Sequence, residues 1–243
     1  MNATRLYKLT VIVPVYNEED NIGALEKRLG EYLKRSLWKC CVLFVNDGSK
    51  DNSFEKIKEI CSSNNDFYYI SFMHNCGLSA AIKAGIDLSE SDYVGYIDAD
   101  LQTDPDDFNL LIPYASDYGM VAGIRAARKD KFGKKLQSRF ANRFRKVFTH
   151  DGATDTGCPL KILKTSVAKK IPFFTGMHRF LAALVQLQNC KVKEVPVRHY
   201  PRTAGLSKYH LWNRLISPFM DCFAYLWMKK RYINYSIRED NIG

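Results

Sequence analysis

An apolar run, Val94-Gly95-Tyr96-Ile97, ends in Asp98-Ala99-Asp100-Leu101-Gln102, two carboxylates and an amide within five positions. A run of that length bounded by polar residues predicts a buried strand, and the carboxyl ends of such strands are where open α/β sheets hold ligands. Two acids at such an end call for a cation. Two positions apart on a continuing strand, Asp98 and Asp100 are expected to project to one face, with Gln102 adding a neutral oxygen beyond them. That hard-oxygen set suits Mg²⁺ or Mn²⁺, the ions that neutralise a diphosphate. The competing use of an Asp-x-Asp triplet is as turn or cap residues.

The elements that must position these acids alternate. Leu9 to Val15 reads as a strand running into Tyr16-Asn17-Glu18-Glu19-Asp20 and a helix through about Leu33. Cys40 to Val45 is a second strand, Asn46-Asp47-Gly48-Ser49 a turn, and Asp51 to Cys61 a helix with Phe54, Ile57, Ile60 and Cys61 on one side. Phe67 to Met73 leads through His74-Asn75-Cys76-Gly77 into a small-residue helix, Leu78 to Leu88, before the fourth strand at Tyr93 to Ile97. Asp104-Pro105 starts another helix, Asp as cap and Pro at the first helical position. Strand–helix alternation with short connections argues for a parallel sheet covered on both faces, whose acidic turns bring Glu18, Asp47, Asp98 and Asp100 to one rim. No Gly-x-Gly-x-x-Gly follows the first strand and no Gly-x-x-x-x-Gly-Lys occurs, which argues against a dinucleotide oxidoreductase or a P-loop NTPase.

Charge and length frame these motifs. The chain has 243 residues, 46% apolar, and a formal charge of +10. That suits one domain with an appendage. Between Arg125 and Lys146 stand ten Lys or Arg and one acid, Asp130, so an anionic partner is expected there. Seven cysteines, odd in number and without zinc-type spacing, fit reduced thiols in cytosol. Cys40-Cys41 reads as strand filler, and Met1 to Lys8 lacks the apolar stretch of a secretory signal.

Three motifs in order, Val13-Pro14-Val15-Tyr16-Asn17-Glu18, Val45-Asn46-Asp47-Gly48-Ser49 with Asp51, and Asp98-Ala99-Asp100-Leu101-Gln102, resemble family 2 glycosyltransferases of the GT-A fold. The resemblance implies that Pro14, Tyr16, Glu18 and Asp47, with Asp98, hold the nucleotide sugar. It also implies that Asp98, Asp100 and Gln102 hold the metal and diphosphate. Asn46 departs from the acid more often found there. Glu194-Val195-Pro196-Val197 and Arg202-Thr203-Ala204-Gly205-Leu206-Ser207-Lys208-Tyr209 are similar to polyprenyl-phosphate sugar synthases such as dolichol-phosphate mannose synthase and the undecaprenyl-phosphate glycosyltransferases. Arg125, Lys134, Ser138 and Asn142 match the spacing of that group's basic helix, Lys134 standing where an Arg is common.

The expected architecture is therefore α/β: a GT-A, Rossmann-like, mostly parallel sheet flanked by helices, with an amphipathic helical segment at the C-terminus. A transferase domain spans 1–208, its donor half about 1–120 and acceptor half about 121–208, with 209–243 as the appended segment. The implied chemistry is inverting, metal-dependent transfer from a UDP or GDP sugar to a polyprenyl phosphate, for cell-envelope glycan or lipopolysaccharide modification. Asp100, Arg125 and Arg202 are the expected catalytic residues; Arg125, Lys134, Ser138, Arg202 and Lys208 are the expected acceptor-phosphate ligands. Two alternatives stand beside it: transfer to a glycan or protein hydroxyl, with Asp155 of Thr154-Asp155-Thr156-Gly157 as base, and a non-catalytic membrane-binding module.

Phe132, Leu136, Phe140, Phe144 and Phe148 recur every four residues and form one apolar helical stripe among the basic residues. It suits either anionic lipid or packing on the core. Nucleic acid is not expected, since no nucleic-acid fold signature accompanies the charge. Leu211 to Met228 is apolar but interrupted by Asn213, Arg214, Pro218 and Asp221, so no spanning helix is expected. Trp212, Tyr225, Trp227 and Tyr232 with Lys229-Lys230-Arg231 suit the headgroup level of an anionic leaflet, or a helix docked on the domain or a partner. A peripheral protein on the cytoplasmic face of a membrane, with a membrane partner subunit or homo-oligomerisation in play, is the resulting expectation. His178 reads as a capping or packing residue.

Overall fold

The computed structural model describes residues 2–125, 148–200, 216–233 and 238–239. β1 (Leu9–Val15), β2 (Cys40–Asn46) and β3 (Phe67–Ser71) alternate with α1 (Glu19–Arg35), α2 (Ser53–Ser63) and α3 (Leu78–Leu88). β4 (Tyr93–Tyr96) follows. A 3-10 turn at Pro105–Asp107 then leads into the short α4 (Phe108–Leu111) and β5 (Met120–Arg125). Beyond 147 come β6 (Lys161–Lys164), α5 (Thr165–Ala168), α6 (Leu181–Gln186), β7 (Val192–Val197) and α7 (Ile216–Arg231).

The strands form one sheet in the order β3-β2-β1-β4-β6-β5-β7. Every pairing is parallel except those of β6, which runs antiparallel to β4 and β5. The mostly parallel sheet is as expected. The simple alternation read from the N-terminal half missed the reversed strand, which no local pattern announces.

β1 shows why the sheet is buried on both sides. Leu9, Val11, Val13 and Val15 pack with Ile22, Leu25 and Leu29 of α1, whereas Ile12, on the other face, packs with Ile82 and Ile86 of α3. A near-continuous apolar run, rich in β-branched residues, satisfies both layers at once. α3 lies so close that a Cβ at Gly85 would sit 2.6 Å from Cγ2 of Ile12. The small-residue character of this helix thus reflects contact with the central strand.

α7 is two-faced. Cys222 and Tyr225 are buried, Tyr225 stacked 6.0 Å from Phe180, while Phe219, Met220, Phe223 and Trp227 are exposed. Tyr225 is therefore no headgroup residue: at helical spacing it falls on the inner face. Tyr232 is half-buried, Trp227 faces out, and Trp212 lies outside the described residues. The exposed stripe is followed by Lys229, Lys230 and Arg231, all exposed, with the Arg231 guanidinium 5.5 Å from the Trp227 ring centroid. Among the described residues no helix is long and apolar enough to cross a membrane.

Candidate functional site

The register places the ends of β2, β1 and β4 side by side: Val15 pairs with Asn46, and Ile12 with Tyr96. The loops leaving these ends are stitched together. Asn17, at φ 50, donates its N–H to Ser49 Oγ at 3.0 Å and accepts from the Lys50 N–H at 2.8 Å. Glu18 donates its N–H to Ser53 Oγ at 2.9 Å, and its carboxylate accepts from Asn21 Nδ2 at 2.7 Å. Glu19 and Asp51 each accept or donate across the same seam, Glu19 N–H to Asp51 Oδ2 at 3.2 Å and Asn52 N–H to Glu19 Oε2 at 3.0 Å. Pro14 and Tyr16, half-buried, stand at the edge of this seam.

Asp47 is buried, and its carboxylate organises the third rim loop. It accepts from the backbone N–H of Cys76 at 2.6 Å and of Gly77 at 2.9 Å, and from Asn75 Nδ2 at 2.8 Å. A side chain at Gly48, φ +65, would lie 2.4 Å from the His74 carbonyl carbon. Glycine is needed there because two backbones meet.

β4 ends at Tyr96, so Asp98 and Asp100 lie in a turn rather than on a continuing strand. Strand alternation ends with β4, and beyond Asp100 the chain folds back at Leu101, φ 58. Their orientation comes from hydrogen bonds instead. The Tyr96 hydroxyl donates to Asp98 Oδ1 at 2.6 Å, and the buried Asp100 accepts the Gln102 N–H at 3.1 Å. Gln102 in turn accepts at its carbonyl from the Tyr200 N–H at 2.8 Å. Arg198 fixes that approach: its N–H and Nε reach Asp107 at 2.7 and 2.8 Å, and its guanidinium lies 3.3 Å from Asp104. Asp104 caps the 3-10 turn by accepting from Asp106 N–H at 3.1 Å, as its sequence position predicts. The two carboxylates and the amide present oxygen donors, a set that fits a hard divalent cation. Among the described residues no group of three or more His, Cys, Asp or Glu side chains could hold a metal ion. An ion at this turn would complete its shell with ligand oxygens.

On the far side of β4, Arg125 ends β5 and binds Asp155 through Nε at 2.7 Å, Nη2 at 2.6 Å and its own N–H at 3.1 Å. Gly157 leaves room for this guanidinium, whose Nη2 would be 2.9 Å from a Cβ there. Glu194 of β7 anchors the same loop, accepting from the N–H and Oγ1 of Thr154 at 2.7 and 2.6 Å. Lys134, Ser138, Asn142, Arg202 and Lys208, and the Phe132–Phe144 part of the apolar stripe, lie outside the described residues.

Two groups carry more weight than their sequence positions suggest. Lys161 is buried, and burial pulls its pKa below the ordinary lysine value. His178 is a packing residue, one of the two expected alternatives: it is buried, bonded through Nδ1 to Ser79 Oγ at 3.0 Å, and burial lowers its pKa to about 3. Neither has a local signal, because each is defined by strands and helices distant in sequence.

A model described as glycosyl transferase family 2 matches residues 10–181. The chain is similar to a dodecaprenyl-phosphate galacturonate synthase of Rhizobium johnstonii, 28% identical over 229 residues, covering 92% of this chain and 68% of that protein. It is also similar to an undecaprenyl-phosphate 4-deoxy-4-formamido-L-arabinose transferase of Yersinia pestis, 30% identical over 222 residues, 90% of this chain and 67% of that one. Among solved structures, a mannosyltransferase from Pyrobaculum calidifontis in complex with GDP-Man and Mn²⁺ superposes with a TM-score of 0.66 at 19% identity, over 90% of this chain and 63% of that chain. The present chain thus spans just over two thirds of those curated relatives and less than two thirds of that mannosyltransferase. A glucosyl-3-phosphoglycerate synthase from Mycobacterium tuberculosis, in complex with Mn²⁺, UDP-glucose and phosphoglyceric acid, gives a TM-score of 0.66 at 12% identity over 96% of this chain and 83% of its own. At these identities the solved structures establish the fold.

Proposed function

Because the chain belongs to glycosyl transferase family 2, we propose that it moves a sugar from a nucleoside diphosphate sugar to a polyprenyl phosphate, with inversion at the anomeric carbon. The observation that carries this reading is the placement of the Asp98–Gln102 turn at the end of β4, with the Arg125–Asp155 pair beyond it. In this reading the acidic turn is the donor side, and the basic residues that follow Arg125 in the sequence supply the acceptor side. The curated relatives' names, both polyprenyl-phosphate sugar enzymes, support the acceptor class.

In the proposed reaction an acceptor phosphate oxygen forms the new bond to the anomeric carbon. The bond from that carbon to the donor diphosphate breaks, and the nucleoside diphosphate leaves with the electron pair. A phosphate monoester, with its second pKa near ~6, is already anionic at neutral pH, so no general base is needed. This chain's residues then align and neutralise. Asp98, Asp100 and Gln102 would hold Mg²⁺ or Mn²⁺, which supplies positive charge to the leaving diphosphate. Asp47 shapes the 74–77 loop of the nucleotide side, with Pro14, Tyr16 and Glu18 on the adjoining rim. Arg125 receives the acceptor phosphate, joined by Lys134, Ser138, Arg202 and Lys208; Arg202 follows two positions after Tyr200, which is tied to Gln102.

Transfer to a hydroxyl would need Asp155 as base, but its oxygens are already taken by Arg125. The non-catalytic reading leaves the acidic rim without a role. The proposal includes peripheral contact with the anionic cytoplasmic leaflet through the exposed stripe of α7 and its terminal basic residues. All seven cysteines are free thiols, in keeping with a reducing compartment. Residues 1–208 form the proposed transferase domain and 209–243 the membrane-facing segment. Product chemistry tests the reading: a sugar–phosphate–lipid is cleaved by mild acid, whereas an ordinary glycoside resists it.

A further inference from the structure

β6 enters the sheet between β4 and β5, so its first residue, Lys161, stands opposite Tyr96 on one side and Ala122 on the other. Residues paired across strands point to the same face, and Lys161 shares the face of Tyr96. Its ammonium donates to the Cys158 carbonyl and lies 5.8 Å from the Tyr96 ring centroid. The residue is 3% exposed. It also borders a cavity lined by Asp155, Thr156, His178, Arg179 and Glu194.

An ammonium carries three donors, and here the Cys158 carbonyl takes one. A buried ammonium is costly unless opposite charge and hydrogen bonds complete its shell. Asp155 and Asp98 both act on Lys161 electrostatically, yet each has another cationic claim. Asp155 is already forked by Arg125 at 2.6 and 2.7 Å. Asp98 belongs to the donor turn, where a divalent cation fits. With both carboxylates so engaged, Lys161 keeps remaining N–H donors beside this cavity.

We infer that Lys161 is a substrate-contacting residue, its remaining N–H donors taking an anionic oxygen: a carboxylate on the transferred sugar or an oxygen of the acceptor phosphate. This rests on the transferase reading of the site. The two sources share one oxyanion chemistry, and the test separates them.

Lys161→Met and Lys161→Arg are assayed in the full chain with Mn²⁺ and undecaprenyl phosphate, using UDP-glucose, GDP-mannose and UDP-galacturonic acid as donors. The methionine variant should lose roughly 10- to 100-fold in kcat/KM, the worth of a charge-assisted hydrogen bond, while arginine retains most of it. A KM rise for undecaprenyl phosphate with every donor identifies the acceptor phosphate; a loss confined to the uronate donor identifies the sugar carboxylate. UDP affinity in Mn²⁺ should stay unchanged in both variants. A folded methionine variant with unchanged kcat/KM for every donor overturns the inference. Should that variant fail to fold, wild-type protein labelled with ¹⁵N at lysine Nζ decides: the Lys161 resonance should shift on adding citronellyl phosphate or UDP-galacturonic acid, and no shift with either overturns it. Wild-type protein that transfers no sugar from any donor would refute the transferase reading instead, and the resonance measurement would still judge Lys161.

Discussion

Arg125 holds Asp155 in a fork, Nε to Oδ2 at 2.7 Å and Nη2 to Oδ1 at 2.6 Å, with both side chains about one-eighth exposed, at 12% and 13%. A carboxylate occupies the two donors that suit a phosphate. Asp155 thereby fixes the orientation of the guanidinium. Removing one member leaves the other buried without its counter-charge, which costs about 3 kcal/mol. Asp155→Asn should therefore lower the denaturation midpoint and raise KM for polyprenyl phosphate more than KM for the nucleotide sugar. Steady-state kinetics varying each substrate, beside a urea titration, check both effects. Equal changes in the two KM values would count against an acceptor-side role.

Asp47 predicts a different split. Its carboxylate accepts from Cys76 N–H, Gly77 N–H and Asn75 Nδ2, so Asp47→Asn replaces an acceptor by a donor facing donors. The unsatisfied group costs about 1–3 kcal/mol and loosens the 74–77 loop. Calorimetry should show weaker UDP or GDP binding with acceptor KM unaffected. Unchanged nucleotide affinity would mean that this loop lies outside the donor site.

Much of this rim was readable because parallel strands buried on both faces leave near-continuous apolar runs, as at Leu9–Val15 and Cys40–Val45. The polar loops that follow then stand out. Asp98 and Asp100 lie just beyond the end of β4 rather than on a continuing strand, so strand alternation does not set their orientation. Arg198–Asp107, Tyr200–Gln102 and the burial of Lys161 had no local signature. Each depends on strand pairings or contacts between residues far apart in sequence, such as the 91 positions separating Arg198 from Asp107. Tyr225 takes the docked alternative rather than the headgroup one, a choice that aromatic content alone does not make because it does not say which side of a helix a residue occupies.

His178 makes stability depend on acid. Its pKa falls from 6.5 to about 3 on folding, chiefly through burial, with Arg179 and Lys161 opposing the charged form. The unfolded chain binds the proton first, so the contribution is complete above about pH 6.5 and is lost as pH falls towards about 3. Within that window one proton is taken up on unfolding, a slope of about 1.4 kcal/mol per pH unit. His178→Gln should flatten the fall of the melting temperature between pH 6 and pH 4. The same slope in variant and wild type would show that His178 is not the group responsible.

The outer face of α7 predicts lipid binding that can be removed without unfolding. Phe219, Phe223 and Trp227 are 44%, 46% and 64% exposed, so polar replacements there should change stability little. Changing the three to Ser should reduce co-sedimentation with vesicles containing anionic lipid, as should Lys229, Lys230 and Arg231 changed to Glu. Binding should weaken with salt, each basic residue near the surface contributing about 1 kcal/mol. Vesicle binding that survives both sets of changes would place the membrane contact elsewhere.

The central claim is that Asp98, Asp100 and Gln102 form the donor-diphosphate metal site of a transferase acting on a lipid phosphate. Radiolabelled sugar transfer from nucleoside diphosphate sugars to undecaprenyl phosphate, followed by mild acid, tests it most directly. Wild-type protein with Mg²⁺ or Mn²⁺ should yield an acid-labile lipid product. Asp100→Asn, or chelation of the metal, should abolish it. Transfer that persists in the folded variant or under chelation, or a product that resists mild acid, would contradict the account.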